Sequence, residues 1–305
     1  MKKFIRHILG YFGYDIIKVV PTSFLKKEQP VTVGNYTITL PVQNPLIKTY
    51  ATQKDFASEI GRLTGYVHHK YPGLIFVDIG ANTGDTIATV KSVQDVPILA
   101  VEGDEFSFSY LKRNAAQFSN VHLVQQFLGE KSGTINVDLQ KKGWNTTLIP
   151  NAGNEKVTIK TLDTVLEESS LSKPAMKLLK IDTEGFDTLI IRGATALIRE
   201  TRPVIYFEYN RDNMEAIQEN GLQTLLDLSR EGYESILFFD DRGRFVVSGS
   251  LSNRELIQDL HDYADGRNGL IYYYNICLIH GSDADLAASI IAGERAFRKS
   301  QEPSK

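Results

Sequence analysis

The segment VDIGANTGD (77–85) begins inside an apolar run, LIFVDIG (74–80), and contains two glycines and two acidic residues. Gly80 and Gly84 allow a tight turn and a close approach of the backbone to a ligand. Their spacing lacks the middle glycine of the dinucleotide fingerprint, and a carboxylate at Asp78 would repel a pyrophosphate. The segment therefore favours a ligand with a cationic tail that carries no phosphate, and the alternative is a purely structural tight turn.

Glu102 ends a second apolar run, PILAVE, 22 residues after Gly80. An acidic side chain at this place in a nucleotide-binding sheet accepts hydrogen bonds from both hydroxyls of a ribose. A solvated surface acid is the alternative. We call the segment from Gly80 to Gly84 the glycine loop. Taken together, the glycine loop and Glu102 predict a site for a nucleoside joined to a cationic tail, and S-adenosylmethionine is the obvious candidate.

Three further carboxylates follow later apolar runs. Asp182 and Glu184 come after MKLLKI, and Glu208 lies in PVIYFE. If the strand continues to Glu184, its side chain and that of Asp182 leave on one face. Two carboxylates so close repel each other, so that one becomes a better proton acceptor or a cation such as Mg²⁺ lies between them. We therefore predict Asp182, Glu184 and Glu208 as catalytic residues and the first two as candidate metal ligands; the alternatives are a helix N-cap and a solvent-exposed acid.

The loop GWNTTLIPNAGN (143–154) carries the only tryptophan of the chain beside small polar residues. Trp144 could stack on a sugar ring while Asn145 and Thr146 make hydrogen bonds to it. A buried indole that anchors the loop is an equally good interpretation. The three residues are predicted to bind the substrate.

Short apolar runs alternate with segments of helical periodicity in the region that holds these residues. The predicted strands are 74–80, 97–102, 120–127, 175–182 and 203–209, and the predicted helices are 84–94, 105–118, 161–169 and 185–199. This alternation is typical of a doubly wound α/β domain, whose parallel sheet is covered by helices on both faces. The carboxyl ends of the strands would bring the candidate residues to one edge. The sequence also predicts extra strands in 131–160, a helix over 214–230 and a hairpin turning at 241–243. It further predicts a strand over 270–279 and a helical tail.

The first 70 residues have a different pattern and are predicted to form an N-terminal cap on a domain of residues 71–300. Residues 1–20 carry an apolar helical stripe with basic side chains beside it. This stripe favours a helix docked on the body over a basic amphipathic helix that touches a membrane surface. The segment VTVGNYTITLP predicts a small hairpin or edge strand.

Composition restricts the function classes further. The chain has 305 residues, 42% apolar and 23% charged, as expected of a soluble globular protein. A net charge of −3 gives no electrostatic case for binding nucleic acid. The lone Cys277 excludes a disulfide scaffold. No membrane-spanning run or signal-peptide core is visible, so we expect a cytoplasmic protein; the oligomeric state is left open.

Several motifs together resemble the FkbM family of S-adenosylmethionine-dependent methyltransferases. They are VDIGANTGDT (77–86), AVEGDEFSFSYLKRNAA (100–116), GEKSGTINV (129–137), TLDTVL (161–166), LLKIDTEGFDTLIIRGATALI (178–198) and PVIYFE (203–208). The resemblance covers residues 74–210, and the KIDTEG run is its most family-specific part. The glycine loop alone is shared by many methyltransferases.

The resemblance implies a Rossmann-like fold of the class I methyltransferase type, with a mostly parallel sheet, an N-terminal helical cap and an extra C-terminal hairpin. It also implies O-methylation of a sugar, glycan, glycolipid or natural-product acceptor. The residues it implies for cofactor binding are Asp78, Gly80, Ala81, Asn82, Gly84, Thr86 and Glu102. The chain departs from the family at Asp104, where a proline is common, and at Gln126 and Phe127, bulky residues that could wall the adenine. The alternatives are an NAD-dependent sugar oxidoreductase, which the missing glycine disfavours, and a non-catalytic cofactor-binding partner module.

Overall fold

The structure is a computed structural model that describes residues 27–53, 55–142, 145–150, 153–264, 271 and 273–301. The helix predicted over residues 1–20 lies outside them. The first described elements are the antiparallel strands β1 (Glu28–Val33) and β2 (Tyr36–Pro41), then the helices α1 (Leu46–Thr52) and α2 (Ser58–Lys70). The hairpin predicted for this segment is confirmed.

The remaining elements include strands that alternate with one or two helices, a run of five consecutive strands, and a hairpin with a return strand near the end. In chain order they are β3 (Ile75–Ile79), α3 (Asp85–Val93), β4 (Ile98–Glu102), α4 (Glu105–Ala115), β5 (Val121–Gln125), β6 (Phe127–Leu128), β7 (Gly133–Lys142), β8 (Asn145–Pro150), β9 (Glu155–Lys160), α5 (Leu162–Glu168), β10 (Met176–Ile181), α6 (Asp187–Arg192), α7 (Thr195–Thr201), β11 (Val204–Tyr209), α8 (Arg211–Ala216), α9 (Leu222–Arg230), β12 (Tyr233–Phe239), β13 (Phe245–Ser250), α10 (Arg254–Tyr263), β14 (Tyr274–His280) and α11 (Ala284–Ser300).

Eight of these strands form the central sheet, in the order β13-β12-β14-β11-β10-β3-β4-β5. The five strands from β11 to β5 pair in parallel, whereas β14 runs antiparallel to β11 and β12, and β13 runs antiparallel to β12. The chain leaves β3 toward β4 on one side and returns to β10 on the other. The predicted doubly wound, mostly parallel sheet of the Rossmann-like type is confirmed.

Helices cover both faces of this sheet. One core contains Leu179 and Ile181 of β10 and packs beneath α5, α6, α7, α9 and α10. The other contains Leu178 of β10 and Phe76 of β3 and packs beneath α2, α3, α4 and α11. Because side chains alternate along a strand, Lys180 falls on the same buried face as Leu178.

Four predicted elements differ from the structure. The segment predicted as a loop over 143–154 contains β8, which pairs with β7. The strand predicted over 120–127 divides, because β5 ends in the central sheet and β6 joins a small second sheet with the order β6-β9-β7-β8. The helix predicted over 185–199 is two helices separated at Gly193, where a Cβ would lie 2.3 Å from the carbonyl oxygen of Gly129. The helix predicted over 214–230 also divides, because Gly221, with φ +78°, precedes α9.

Among the helices of the described segments, none combines the length and apolar composition that a bilayer crossing requires.

Candidate active site

A cavity of about 490 Å³ opens at the carboxyl ends of the central strands. Its walls include residues at the ends of β3, β4, β10 and β11. In doubly wound sheets, ligands bind where the strand order reverses, which in this chain is between β3 and β10. The volume is in the range of small-molecule sites, roughly 300–1,000 Å³. The position and the size of the cavity therefore fit the predicted ligand site.

Most of the predicted site residues line this one cavity. Those that do are Gly80, Asn82, Thr86, Glu102, Gln126, Phe127, Asp182, Glu184 and Glu208. Asp78 and Ala81 are instead buried, and Gly84 is the N-cap of α3. The predicted substrate-binding Trp144 lies outside the described residues, and of Asn145 and Thr146 only the backbone, in β8, is described.

Glu102 is held at the cavity by the backbone. Its Oε2 accepts a hydrogen bond from the backbone N–H of Asn82 at 2.9 Å, and its Oε1 accepts one from that of Asp104 at 2.7 Å. Burial raises its pKa to about 6, against two backbone hydrogen bonds that lower it. Each carboxylate oxygen keeps a further lone pair, so the group can still accept hydrogen bonds from a ribose.

The loop between β3 and α3 approaches the end of β10 very closely. A Cβ on Gly80, whose φ is +75°, would lie 1.8 Å from the carbonyl oxygen of Asp182. Directly after β4, the ring of Phe127 lies against Gly103, where a Cβ would be 2.1 Å from the ring. The side chain of Gln126 donates to the carbonyl oxygens of Phe127 and Thr158. Backbone that a ligand can approach, an aromatic wall and an oriented carboxylate together fit a nucleoside.

The acidic end of the cavity is built differently from the sequence-based expectation. β10 ends at Ile181, so strand alternation does not carry Asp182 and Glu184 to one face. Instead, Glu184 has a left-handed backbone with φ +54°, which is a strained conformation for a residue other than glycine. Its Oε2 accepts a hydrogen bond from Asn213 Nδ2 at 2.8 Å, and the same nitrogen lies 3.4 Å from Oε1 of Glu208. The tight turn and Asn213 therefore bring the two glutamates together.

The three carboxylates have different environments. Burial, together with the neighbouring charges of Asp182, Asp187 and Glu184, raises the pKa of Glu208 well above its ordinary value. These surroundings favour the protonated form of Glu208, which could donate a hydrogen bond. The side chain of Asp182 is 50% exposed, with an ammonium group 3.7 Å from its Oδ2. The carboxylate of Asp182, beside an ammonium group, and the carboxyl of Glu208, beside other carboxylates, therefore lie in different environments.

That ammonium group belongs to Lys180, which sequence reasoning missed. Its Nζ lies 3.1 Å from Oδ1 of Asp78 and 3.4 Å from the carbonyl oxygen of Gly80. Burial opposes its charge, but the carboxylates of Asp78 and Asp182 raise its pKa above the ordinary value, so it stays protonated. The cation beside Asp78 is thus a side chain of the protein. A lysine inside the apolar run MKLLKI was the signal that could have revealed it.

The predicted magnesium ligands do not fit a metal site. Within the described segments, no group of three or more His, Cys, Asp or Glu side chains is arranged to hold a metal ion. Lys180 lies within ion-pair distance of both Asp78 and Asp182. A side-chain cation therefore lies beside Asp182, one of the two carboxylates between which the sequence predicted Mg²⁺, but it pairs with Asp78 and not with Glu184.

Other parts of the cavity wall come from segments that gave no functional signal in the sequence. Leu46 and Glu59 belong to the N-terminal part, and Asp241, Tyr273 and Asn275 to the C-terminal part. A hairpin turn at Asp241 and a strand containing Tyr273 and Asn275 were predicted, but no functional role was predicted for these residues. Tertiary packing alone brings these residues to the cavity.

The raised pKa of Glu102 predicts a pH-dependent stability for the chain without ligand. A carboxyl whose pKa rises from 4.5 to about 6 on folding stabilises the fold below pH 4.5, and this stabilisation is lost as the pH rises through 6. Between pH 5 and 7.5, the change amounts to about 1 kcal/mol. Urea denaturation at the two pH values should show a smaller loss for Glu102→Gln than for the wild type. Equal losses in both proteins would contradict the assignment.

Solved structures similar to this chain include several methyltransferases, although no curated protein sequence matches it. A crystal structure of methyltransferase FkbM from Methylobacillus flagellatus is 16% identical, with 58% of this chain and 43% of that chain covered and a TM-score of 0.39. This chain therefore spans less than half of that protein. A putative caffeoyl-CoA O-methyltransferase from Staphylococcus aureus is 10% identical, with 77% and 91% covered and a TM-score of 0.42.

A third structure, a putative O-methyltransferase from Klebsiella pneumoniae, is 13% identical, with 79% of this chain and 96% of that chain covered and a TM-score of 0.40. The family model described as the methyltransferase FkbM domain matches residues 78–235. The matched segment is just over half of the chain and includes the glycine loop, Glu102, Asp182 and Glu208.

Proposed function

The chain belongs to the FkbM methyltransferase family, and from this premise we propose that it methylates a hydroxyl group of a sugar, glycan, glycolipid or natural-product acceptor. The family match supports methyl transfer from S-adenosylmethionine, and the residues of the cavity support the kind of acceptor. The observation that carries it is a single cavity lined by both Glu102, proposed to hold the ribose, and Asp182, proposed to accept the proton. Donor and acceptor groups would therefore meet in one space.

The residues have separate tasks in such a transfer. Glu102 would hold the ribose hydroxyls of the cofactor, and Phe127 would pack against its adenine. When bound, S-adenosylmethionine supplies an electrophilic methyl group. Asp182 would accept the proton of the acceptor hydroxyl, so that the hydroxyl oxygen becomes the nucleophile for that methyl group. Glu208, whose protonated form is favoured, would donate a hydrogen bond to the acceptor and help to align it.

The wall near Asp182 supports a polyhydroxylated acceptor. Asn210, Tyr273 and Asn275 line the cavity on the side of β11 and β14, away from Glu102. Amide and phenol groups both donate and accept hydrogen bonds, which suits the hydroxyl groups of a sugar. Leu46 and Glu59 line the cavity as well, which supports the proposal that residues 1–70 act as a cap on the domain formed by 71–300.

Other parts of the proposal rest on the sequence. A small molecule or glycan is the expected partner, without nucleic acid, and the cytoplasm is the expected location. Contact of residues 1–20 with a membrane is the less favoured alternative. The family match removes the support for an NAD-dependent sugar oxidoreductase, whereas a non-catalytic partner module has to be tested by turnover.

Calorimetric titration tests the cofactor site first. We expect S-adenosylmethionine to bind saturably to the wild type and about tenfold or more weakly to Glu102→Ala, because two hydrogen bonds to a charged group are lost. Glu105→Ala is the matched control, because Glu105 begins α4, is exposed and does not line the cavity. The affinity of this variant for S-adenosylmethionine should equal that of the wild type. Absence of binding to the wild type would overturn the proposal.

An acceptor panel then tests the reaction. Neutral sugars, glycans, glycolipids and hydroxylated natural products would be incubated with S-adenosylmethionine, and release of S-adenosylhomocysteine would be measured together with the mass of each product. A product heavier by one methylene unit supports the proposal. Cofactor binding without turnover on any acceptor would support the partner-module alternative.

A further inference from the structure

Lys180 occupies the centre of the sheet directly below the cavity. In the parallel register of the sheet, it pairs with Asp78 on β3 and with Tyr206 on β11. Its side chain is only 8% exposed, and it lines the cavity. A charged residue in such a place is costly unless partners compensate for it. The groups around Lys180 must therefore offset the burial of its charge.

An ion pair with Asp78 alone would satisfy the charge, but the contacts of Lys180 extend further. The carboxylate of Asp78 is fully buried, and the ammonium lies between it and Oδ2 of Asp182 at the cavity wall. The same ammonium approaches the carbonyl oxygen of Gly80 in the loop that precedes α3. A further nearby charge is that of Asp85, whose Oδ2 accepts a hydrogen bond from the hydroxyl of Tyr50. One cation thus joins the glycine loop to the residue assigned as proton acceptor.

We propose that Lys180 is a positioning residue, whose ammonium group takes the place of a divalent cation and holds Asp182 toward the acceptor. This inference rests on the proposed function, in which Asp182 accepts the hydroxyl proton. A metal ion in the same place would bind the acidic groups through its positive charge; the lysine does so with a covalently attached charge. The transfer then requires no added metal.

The acidic groups around Lys180 provide a test that needs neither cofactor nor acceptor. Lys180→Ala removes the ammonium and leaves Asp78, Asp85 and Asp182 around the vacated space. We expect MgCl₂ to raise the melting temperature of this variant saturably, by at least about 3 °C relative to KCl of equal ionic strength. The wild type should show no such shift. The double variant Lys180→Ala/Asp182→Asn should lose most of the shift.

Lys177→Ala is the matched control on the same strand. The Nζ of Lys177 donates to the carbonyl oxygen of Thr201, and this residue does not line the cavity. Its variant should not respond to MgCl₂. A folded Lys180→Ala without a magnesium-dependent shift would overturn the proposal, as would a saturable shift of the wild type that disappears in Asp182→Asn.

A measurement on the wild type is available if Lys180→Ala folds in neither salt. Because the lysine supplies the positive charge, EDTA should leave the rate of methyl transfer to an acceptor found in the panel within about twofold of the untreated rate. A rate that falls at least about tenfold in EDTA and returns on addition of MgCl₂ would overturn the proposal. Failure of the proposed function itself would appear separately, as absence of cofactor binding to the wild type.

Discussion

Replacing Asp182 by asparagine is expected to slow methyl transfer by about 10²- to 10⁴-fold. The amide cannot accept the proton of the acceptor hydroxyl, although it has nearly the same shape as the carboxylate. The affinity for S-adenosylmethionine should stay within about threefold, because Glu102 and the glycine loop are unchanged. Single-turnover release of S-adenosylhomocysteine would measure the rate, and calorimetry would measure the affinity.

Glu208→Gln is the matched comparison for Asp182→Asn. Burial and the neighbouring carboxylates favour the protonated form of Glu208, so a glutamine, which also donates a hydrogen bond, should lose less than about tenfold in rate. A full rate in Asp182→Asn would remove this residue as the proton acceptor. A larger loss in Glu208→Gln than in Asp182→Asn would exchange the roles of the two acids.

Gly80→Ala is expected to abolish cofactor binding and to lower the free energy of unfolding by more than about 3 kcal/mol. Its Cβ would lie 1.8 Å from the carbonyl oxygen of Asp182, and its φ of +75° is unfavourable for alanine. The ends of β3 and β10 cannot separate easily, because the backbone N–H of Asp182 donates to the carbonyl oxygen of Ile79 at 3.0 Å. Urea denaturation and calorimetric titration with S-adenosylmethionine would measure the two effects.

Gly73→Ala is the control for that substitution. Gly73 precedes β3, a Cβ at this position would meet no atom within 4 Å, and its φ is not positive. Its variant should therefore change the unfolding free energy by less than about 0.5 kcal/mol. If Gly80→Ala behaved like Gly73→Ala, the close approach of the loop to β10 would be wrong.

The parallel strands of the fold were predictable because they are short, apolar and separated by amphipathic segments. The hydrophobic pattern does not, however, show where a helix is interrupted by close packing. At Gly193 the interruption comes from contact with Gly129 in a distant segment. In the same way, β6 pairs with β9 in the second sheet and not with a strand of the central sheet, because tertiary contacts determine the pairing.

The candidate site was predictable where its residues follow strands directly. Gly80, Glu102 and Asp182 were found because carboxyl ends of parallel strands meet at one edge. The partner of Asp78 was not found, since an ion pair across two strands depends on their register, which local sequence does not give. Glu184 and Glu208 meet through Asn213, a residue on a later helix, and no spacing rule relates the three.

The cavity wall has a consequence for how the protein is made. Its lining extends from Pro45 near the beginning of the described chain to Asn275 in β14, which is inserted between β11 and β12 although it follows both in the sequence. During synthesis the amino-terminal strands emerge first and can begin to fold before the last strand has left the ribosome. A nascent chain of that kind has the glycine loop and Glu102 but lacks one side of the cavity. The complete wall of the cavity is thus acquired late in translation, after most of the sheet has already been synthesised.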